Sequence, residues 1–206
     1  MTERSRGRPR AFDRDRAILE AARLFWRRGY SGTSTRALTA ALGLSTSSLY
    51  AAFGSKAGLF EEAVRRYAER YREIYRRAVE EQDVRTVVER VLVDSVHEFT
   101  QPDDTHPGCL VSSAVMTDST DTLDTSAYVA ELHRSNRQAL LRRVERAVED
   151  GELTGGVGAV ALTELVQALW HGLSVRSGLD ATREDLMEAA RLAHGLICRQ
   201  LGSPAS

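Results

Sequence analysis

"LTAALGLSTSSLYAAFGSK", residues 38–56, holds two short apolar-edged segments on either side of Gly43-Leu44-Ser45. Ser34 can cap a helix over 35–42, and Gly43 can end it, since glycine accepts the positive φ a helix terminus demands. A second helix runs from Thr46 to Phe53. Gly54-Ser55 break it, and Ser55 caps whatever follows. Leu38, Leu42, Leu44 and Leu49 then fall on one side, which must be buried against a third element. Two helices joined by a three-residue turn are a helix-turn-helix. In that motif the N-terminal turn of the second helix enters the DNA major groove. Here that turn carries Ser45, Thr46, Ser47 and Ser48. Small hydroxyls permit close approach and can meet base edges or phosphate oxygens. Tyr50 is long enough to reach a phosphate. Lys56, the only lysine of the chain, sets a cation beside helix N-terminal N–H groups that already favour an anion. A Ser/Thr-rich helix start also occurs with no ligand, so the flanks must decide.

Working outward, the reading is all-α. Residues 13–28 place Ile18, Ala21, Ala22 and Phe25 on one face, with Asp13 as N-cap and Gly29 as stop. A long helix is predicted over 56–81. Its first half buries Leu59 and Phe60 and its second half Tyr71, Ile74 and Tyr75, so it belongs to both ends of the molecule. Further helices are expected at 84–100, 109–116, 126–150, 157–176 and 183–201. A loop is expected at 101–108, and 117–125 reads as polar and loose.

Composition narrows the function. The 206 residues carry a net charge of −1, which hides a strong asymmetry. Residues 1–56 hold eleven basic and four acidic side chains, a balance of +7, and the remainder balances to −8. A basic end on an acidic body points to a polyanionic partner at that end. There is no apolar run of membrane-spanning length and no secretory h-region, so a cytoplasmic protein with reduced Cys109 and Cys198 is expected. Two pairs have metal-like spacing, His106 with Cys109 and His194 with Cys198. Neither has an evident third ligand, so no metal site and no cofactor are expected. No nucleophile elbow, phosphate loop or HExxH stands in the sequence, so it reads as a non-enzyme.

Residues 29–64, "GYSGTSTRALTAALGLSTSSLYAAFGSKAGLFEEAV", resemble the DNA-binding domain of TetR-type (tetracycline repressor family) bacterial transcriptional regulators. Gly29, Thr33-Ser34, Gly43, Leu49-Tyr50, Phe53, Lys56 and Leu59 carry the resemblance. It implies a three-helix DNA-binding domain over 12–72 and a helical dimerisation and effector domain over 73–201, with a basic arm at 1–11 and a tail at 202–206. It further implies that Arg36 contacts a guanine and that Tyr50 and Lys56 contact phosphates. Thr33 joins this set, with Ser45, Thr46, Ser47 and Ser48 near the bases. The founding repressor is poorer in hydroxyls there, so which bases are read does not carry over. Arg8 and Arg10 of the arm either lie in a minor groove or remain a solvated tail.

The implied partners are double-stranded DNA with a near-palindromic operator, a second copy of the chain and a small-molecule effector that releases DNA; no membrane is involved. The dimer would form through the last two helices, at Leu165, Leu169, Leu173, Leu192 and Leu196. An effector pocket would draw on Tyr71, Tyr75, His97, Phe99, Cys109, Ser112, Met116 and Trp170. The same aromatic positions would serve equally as plain core, and Cys109 is either a thiol or metal sensor or inert; the reading held against the repressor is a helical interaction protein without effector.

Overall fold

The computed structural model describes residues 13–101, 110–111, 119–153, 155–179 and 181–202. Among the described residues there are helices and turns but no strand. Helix α1 (Arg14–Gly32) begins where the Asp13 carboxylate accepts the Arg16 N–H at 3.0 Å. It breaks at Gly29, where φ is 67°, a left-handed value that suits glycine. Helices α2 (Thr35–Leu42), α3 (Thr46–Phe53) and α4 (Lys56–Ala78) are each capped by a serine, Ser34, Ser45 and Ser55. These starts fall where the sequence places them, because each needs only a local hydroxyl and a free N–H three residues on.

Helices α5 (Val84–Phe99), α6 (Leu123–Glu149), α7 (Ala159–Arg176) and α8 (Arg183–Gln200) complete the body. Helix α4 packs on α1 and α3 with its first half and on α5 and α6 with its second. Nine of its 23 residues are buried, from Leu59 to Ala78. Trp26 of α1 meets Tyr67 edge-on at 4.6 Å, and Trp170 of α7 meets Tyr71 edge-on at 5.6 Å.

The boundaries differ from expectation at three points. Helix α4 ends at Ala78 and not at 81, because the chain tightens into turns in which Glu80 and Glu81 donate to the carbonyls three residues back. Helix α7 starts at Ala159 and not at 157, because Gly158 takes the extended cap position. The loose segment expected at 117–125 is partly ordered. Ser119 caps a 3-10 turn at Thr120–Thr122, and α6 starts directly after it at Leu123 instead of at 126. Of the expected 109–116 helix, Leu110 and Val111 are helical and buried.

A charged pair with a buried arginine and a half-buried glutamate joins the helix ends. Arg143 of α6 is 5% exposed. Its guanidinium donates to the carbonyls of Glu81 (3.1 Å) and Gln82 (2.6 Å), just past the end of α4, and pairs with Glu152 at 3.0 Å. The Glu152 carboxylate in turn accepts the Val84 N–H, the first of α5, at 2.8 Å. Each charge thus satisfies a backbone group that a helix terminus leaves open. Replacing one member strands the other beside these open groups. Arg143→Met is expected to destabilise by about 3–5 kcal/mol in denaturant unfolding; a loss near zero would show that Arg143 is dispensable.

Candidate nucleic-acid interface

The reading head is built by packing and caps together. Leu38 and Leu49 are fully buried, while Leu42 and Leu44 are half-buried. Gly43 sits at φ 64°, ψ 31°, and its N–H and that of Leu44 both return to the Thr39 carbonyl. This closes α2 and aims α3 outward. Arg14, at the start of α1, clamps the far end of α3. Its guanidinium donates to the Ala52 carbonyl at 2.6 Å, pairs with Glu62 of α4 at 2.5 Å and lies 4.6 Å over the Phe53 ring.

What α3 presents is a hydroxyl surface. Ser45 accepts the Ser48 N–H at 3.1 Å and shares hydrogen bonds with the hydroxyls of Ser47 (2.9 Å) and Ser48 (2.8 Å). Thr46, Ser47 and Ser48 are exposed, and Tyr50 is 44% exposed. Arg36 projects from the neighbouring α2, exposed. Its guanidinium has no hydrogen bond or ion pair with any described residue. The arginines along α4 contrast with it: Arg65, Arg72 and Arg76 each pair with a glutamate three or four residues away. No acidic residue stands in the first turn of α2, α3 or α4. Three helix N-termini without acidic residues and one unpaired guanidinium thus belong to the same small bundle.

Beside α3 lies a recess of about 410 Å³, lined by Tyr30, Thr35, Tyr50, Ser55, Lys56 and Asp121. The first residues of α2 and α4, Thr35 and Lys56, both open on it. Asp121, in the 3-10 turn before α6, was not among the sequence candidates. Its carboxylate accepts the Tyr30 hydroxyl at 3.2 Å and links the body to the end of α1. Burial, and then the Asp121 charge, push the Tyr30 phenol up to about 12. The Asp/Ser/Thr-rich stretch 117–125 reads in the sequence only as polar and loose, so nothing there singled out Asp121.

Two expected DNA contacts are placed differently. Thr33 is fully buried, and its hydroxyl donates to the carbonyls of Gly29 (2.7 Å) and Leu24 (3.3 Å). It holds the break in α1 and has no side-chain access to a ligand. The Lys56 ammonium donates at 3.0 Å to the carbonyls of both Tyr30 and Thr33 and stands 4.0 Å over the Tyr30 ring. It fastens α4 to the end of α1. Arg8 and Arg10 lie outside the described residues.

In the body, Tyr71, Tyr75, Phe99 and Trp170 converge, each at most 3% exposed. Phe99 lies 5.5 Å from both Tyr71 and Trp170. Their polar atoms are used: the Trp170 N–H donates to Ser95 at 2.8 Å, and the Tyr75 hydroxyl accepts from Gln167 at 2.7 Å. Burial drives the Tyr75 phenol above its usual range. His97 stands apart from this group. It is exposed on α5 and accepts from Arg183 of α8, so it faces a surface recess and not the aromatic cluster. Cys109, Ser112 and Met116 lie outside the described residues.

Along the last two helices, Leu165 (48%), Leu192 (61%) and Leu196 (50%) are exposed. Leu169 is half-buried against the core. Leu173 turns inward at 6% exposure and belongs to the chain's own core. Val175 and Leu179 are also exposed, a face that spacing from Leu165 through Ala168 and Gly172 would have revealed.

The pattern of bacterial regulatory proteins of the tetR family matches residues 18–63. The chain is 30% identical over 190 residues to the HTH-type transcriptional repressor ComR of Escherichia coli K12, covering 91% of this chain and 90% of that one. It is 48% identical over 61 residues to the HTH-type transcriptional repressor BdcR of the same organism, covering 30% of this chain and 31% of that one. A cysteine-substituted form of the TetR family transcriptional regulator CifR, complexed with 26-bp double-strand operator DNA, superposes with a TM-score of 0.78 at 33% identity, over 92% of this chain and 98% of that one.

Because Lys56 fastens carbonyls, it should matter without DNA. Lys56→Met is expected to lower stability by about 1.5–3 kcal/mol, the scale of hydrogen bonds to a charged group. Unchanged unfolding with weakened DNA binding would return Lys56 to the role of a free phosphate contact.

Proposed function

Because the chain belongs to the TetR family of bacterial transcriptional regulators, we propose that it is a sequence-specific DNA-binding repressor released from its operator by a small-molecule effector. The observation that carries this reading is the outward face of α3. It presents Thr46, Ser47 and Ser48 beside an unpaired Arg36, with three helix N-termini free of acidic residues. The N-terminal turn of α3 enters the major groove, and these hydroxyls meet base edges there. Arg36 reads a guanine. Tyr50 meets a phosphate beside the recess that holds Thr35 and Ser55. Ser45 caps α3 and is not a free donor. Lys56 acts by holding the α1–α4 junction, and the basic arm at 1–11 adds contacts along the adjacent minor groove. A DNA-binding unit over 12–72, a body over 73–201 and a short tail at 202–206 follow from this division of labour.

The working unit is a homodimer. Leu165, Leu192, Leu196, Val175 and Leu179 form an apolar surface on α7 and α8 that a second copy would cover. Its two-fold axis matches a near-palindromic operator with half-sites about 34–36 Å apart per DNA turn. The effector is taken up by the body beside Tyr71, Phe99 and Trp170. It lowers DNA affinity by a coupling of about 1–3 kcal/mol, and DNA lowers effector affinity by the same factor. Such a regulator works on chromosomal DNA, and the cytoplasm is its proposed location.

The test is DNA binding followed by fluorescence anisotropy over a salt series, using the region upstream of the protein's own gene. Arg36→Ala is expected to cost about 1–3 kcal/mol and to relax discrimination at one base pair per half-site. Tyr50→Phe should weaken all sequences equally. Leu192→Glu with Leu196→Glu should sediment as a monomer and lose operator affinity with its helices intact. Equal losses on all sequences for Arg36→Ala would remove it from base reading. A wild-type monomer at operator-binding concentrations would remove the dimer.

A further inference from the structure

Asp121 brings a negative charge of the body to the edge of the reading head. It lies in the 3-10 turn Thr120–Thr122, which leads directly into α6. It is exposed, and it lines the recess of about 410 Å³ beside α3. Among the described lining residues Lys56 and Asp121 alone are charged, while Tyr30, Thr35, Tyr50 and Ser55 contribute hydroxyls. Hydroxyls and cations are what a DNA phosphate meets on a protein; a carboxylate is not.

Holding Tyr30 does not require that charge. The Asp121 carboxylate accepts the Tyr30 hydroxyl at 3.2 Å and no other side chain among the described residues. The Tyr30 phenol, pushed up to about 12, stays a donor at neutral pH, and an amide oxygen would accept from it as well as a carboxylate does. No ion pair with a described residue neutralises Asp121. The Lys56 ammonium is given to the carbonyls of Tyr30 and Thr33. The charged side chains of the recess therefore sum to zero, and a phosphate entering it meets one full negative charge.

We propose that Asp121 limits DNA affinity: it is a carboxylate carried by the body that opposes the DNA phosphate at Tyr50. The proposal rests on the DNA-binding reading above. The opposition acts through space between groups that water reaches, so it is modest and is screened by salt. Its use lies in where Asp121 is attached. The Ser119 hydroxyl accepts the Asp121 N–H at 3.3 Å, and the buried Thr122 hydroxyl donates to the Ser119 carbonyl at 2.8 Å, so the turn is folded on itself. Helix α6 starts directly after it and packs on α4 and α7. A shift of α6 thus carries this charge toward the phosphate or away from it, with the hydroxyls of α3 unchanged.

Two substitutions separate the charge from the hydrogen bond. Asp121→Asn removes the charge and keeps an oxygen for the Tyr30 hydroxyl; Tyr30→Phe removes the bond and keeps the charge. Binding is followed by fluorescence anisotropy over a salt series, on a duplex from upstream of the protein's own gene and on a scrambled duplex of equal length. Asp121→Asn is expected to bind both duplexes more tightly at low salt, by about threefold per half-site and so about tenfold for a dimer, the scale of one unit charge several ångströms away in water. The gain should fade as salt rises, and the thermal midpoint should stay at the wild-type value. Tyr30→Phe should show no gain. Unchanged affinity in Asp121→Asn, a gain that salt does not reduce, or an equal gain in Tyr30→Phe would each overturn the assignment. Any of these beside salt-sensitive wild-type binding would leave the repressor reading standing; a wild type that binds neither duplex would remove both.

Discussion

One helix must be buried along two different cores at once, and the rest of the molecule is arranged around that demand. Helix α4 places Leu59, Phe60, Ala63, Val64 and Tyr67 in the α1–α3 bundle, then Tyr71, Tyr75 and Ala78 in the body. A helix is stiff over 23 residues, so the two cores are held at a defined angle by backbone hydrogen bonds and not by a linker. Its start is tightly constrained. A Cβ at Gly58 would stand 2.3 Å from the Phe53 carbonyl oxygen, so only glycine lets α4 pass that close to the end of α3. The position of the hydroxyl face of α3 is thereby tied to the position of α4.

Around this start, side chains do what loops would otherwise leave undone. The Gly29 break gives α1 a ragged end, and Thr33 and Lys56 collect its carbonyls. Tyr30 sits on the same spot, stacked at 6.2 Å with Phe25, 5.1 Å from Phe60 and bonded to Asp121. The last of these contacts is a second tie between reading head and body, independent of α4. A tilt of α4 or a shift of the turn before α6 would therefore reach the same junction. At the other end, Arg143 and Glu152 close the turn from α4 into α5. The shared helix is pinned at both ends by charges spent on backbone groups.

The local features of this fold were legible in the sequence, and the long-range ones were not. Serine caps at Ser34 and Ser55 and the positive-φ glycine at Gly43 depend on a few neighbouring residues, so composition and spacing sufficed, whereas Ser45, read only as a DNA-facing hydroxyl, also caps α3. The exposed hydroxyls of α3 followed from the apolar positions opposite them. The internal partners of Thr33 and Lys56, the carbonyls of Leu24, Gly29, Tyr30 and Thr33, were not legible because they come within reach only through the Gly29 break. His97 was grouped with the aromatics by helical position, but Arg183 from α8 draws it to the other side. Leu173 turned out to be core because α7 has two apolar faces, which a single amphipathic stripe does not resolve. Asp121 matters through its contact with the distant Tyr30, and no spacing rule reaches it.

The central claim is that α4 makes reading head and body one cooperative unit. The two tryptophans report on the two halves separately: Trp26 packs on Tyr67, and Trp170 packs on Tyr71. Denaturant unfolding of Trp26→Phe and Trp170→Phe, each followed by its remaining tryptophan and by far-ultraviolet circular dichroism at one protein concentration, tests this directly. If the shared helix couples the cores, the fluorescence and dichroism transitions coincide within each variant. A fluorescence transition in Trp170→Phe that falls well before the loss of helix would mean that the α1–α3 bundle melts on its own, and would contradict the account.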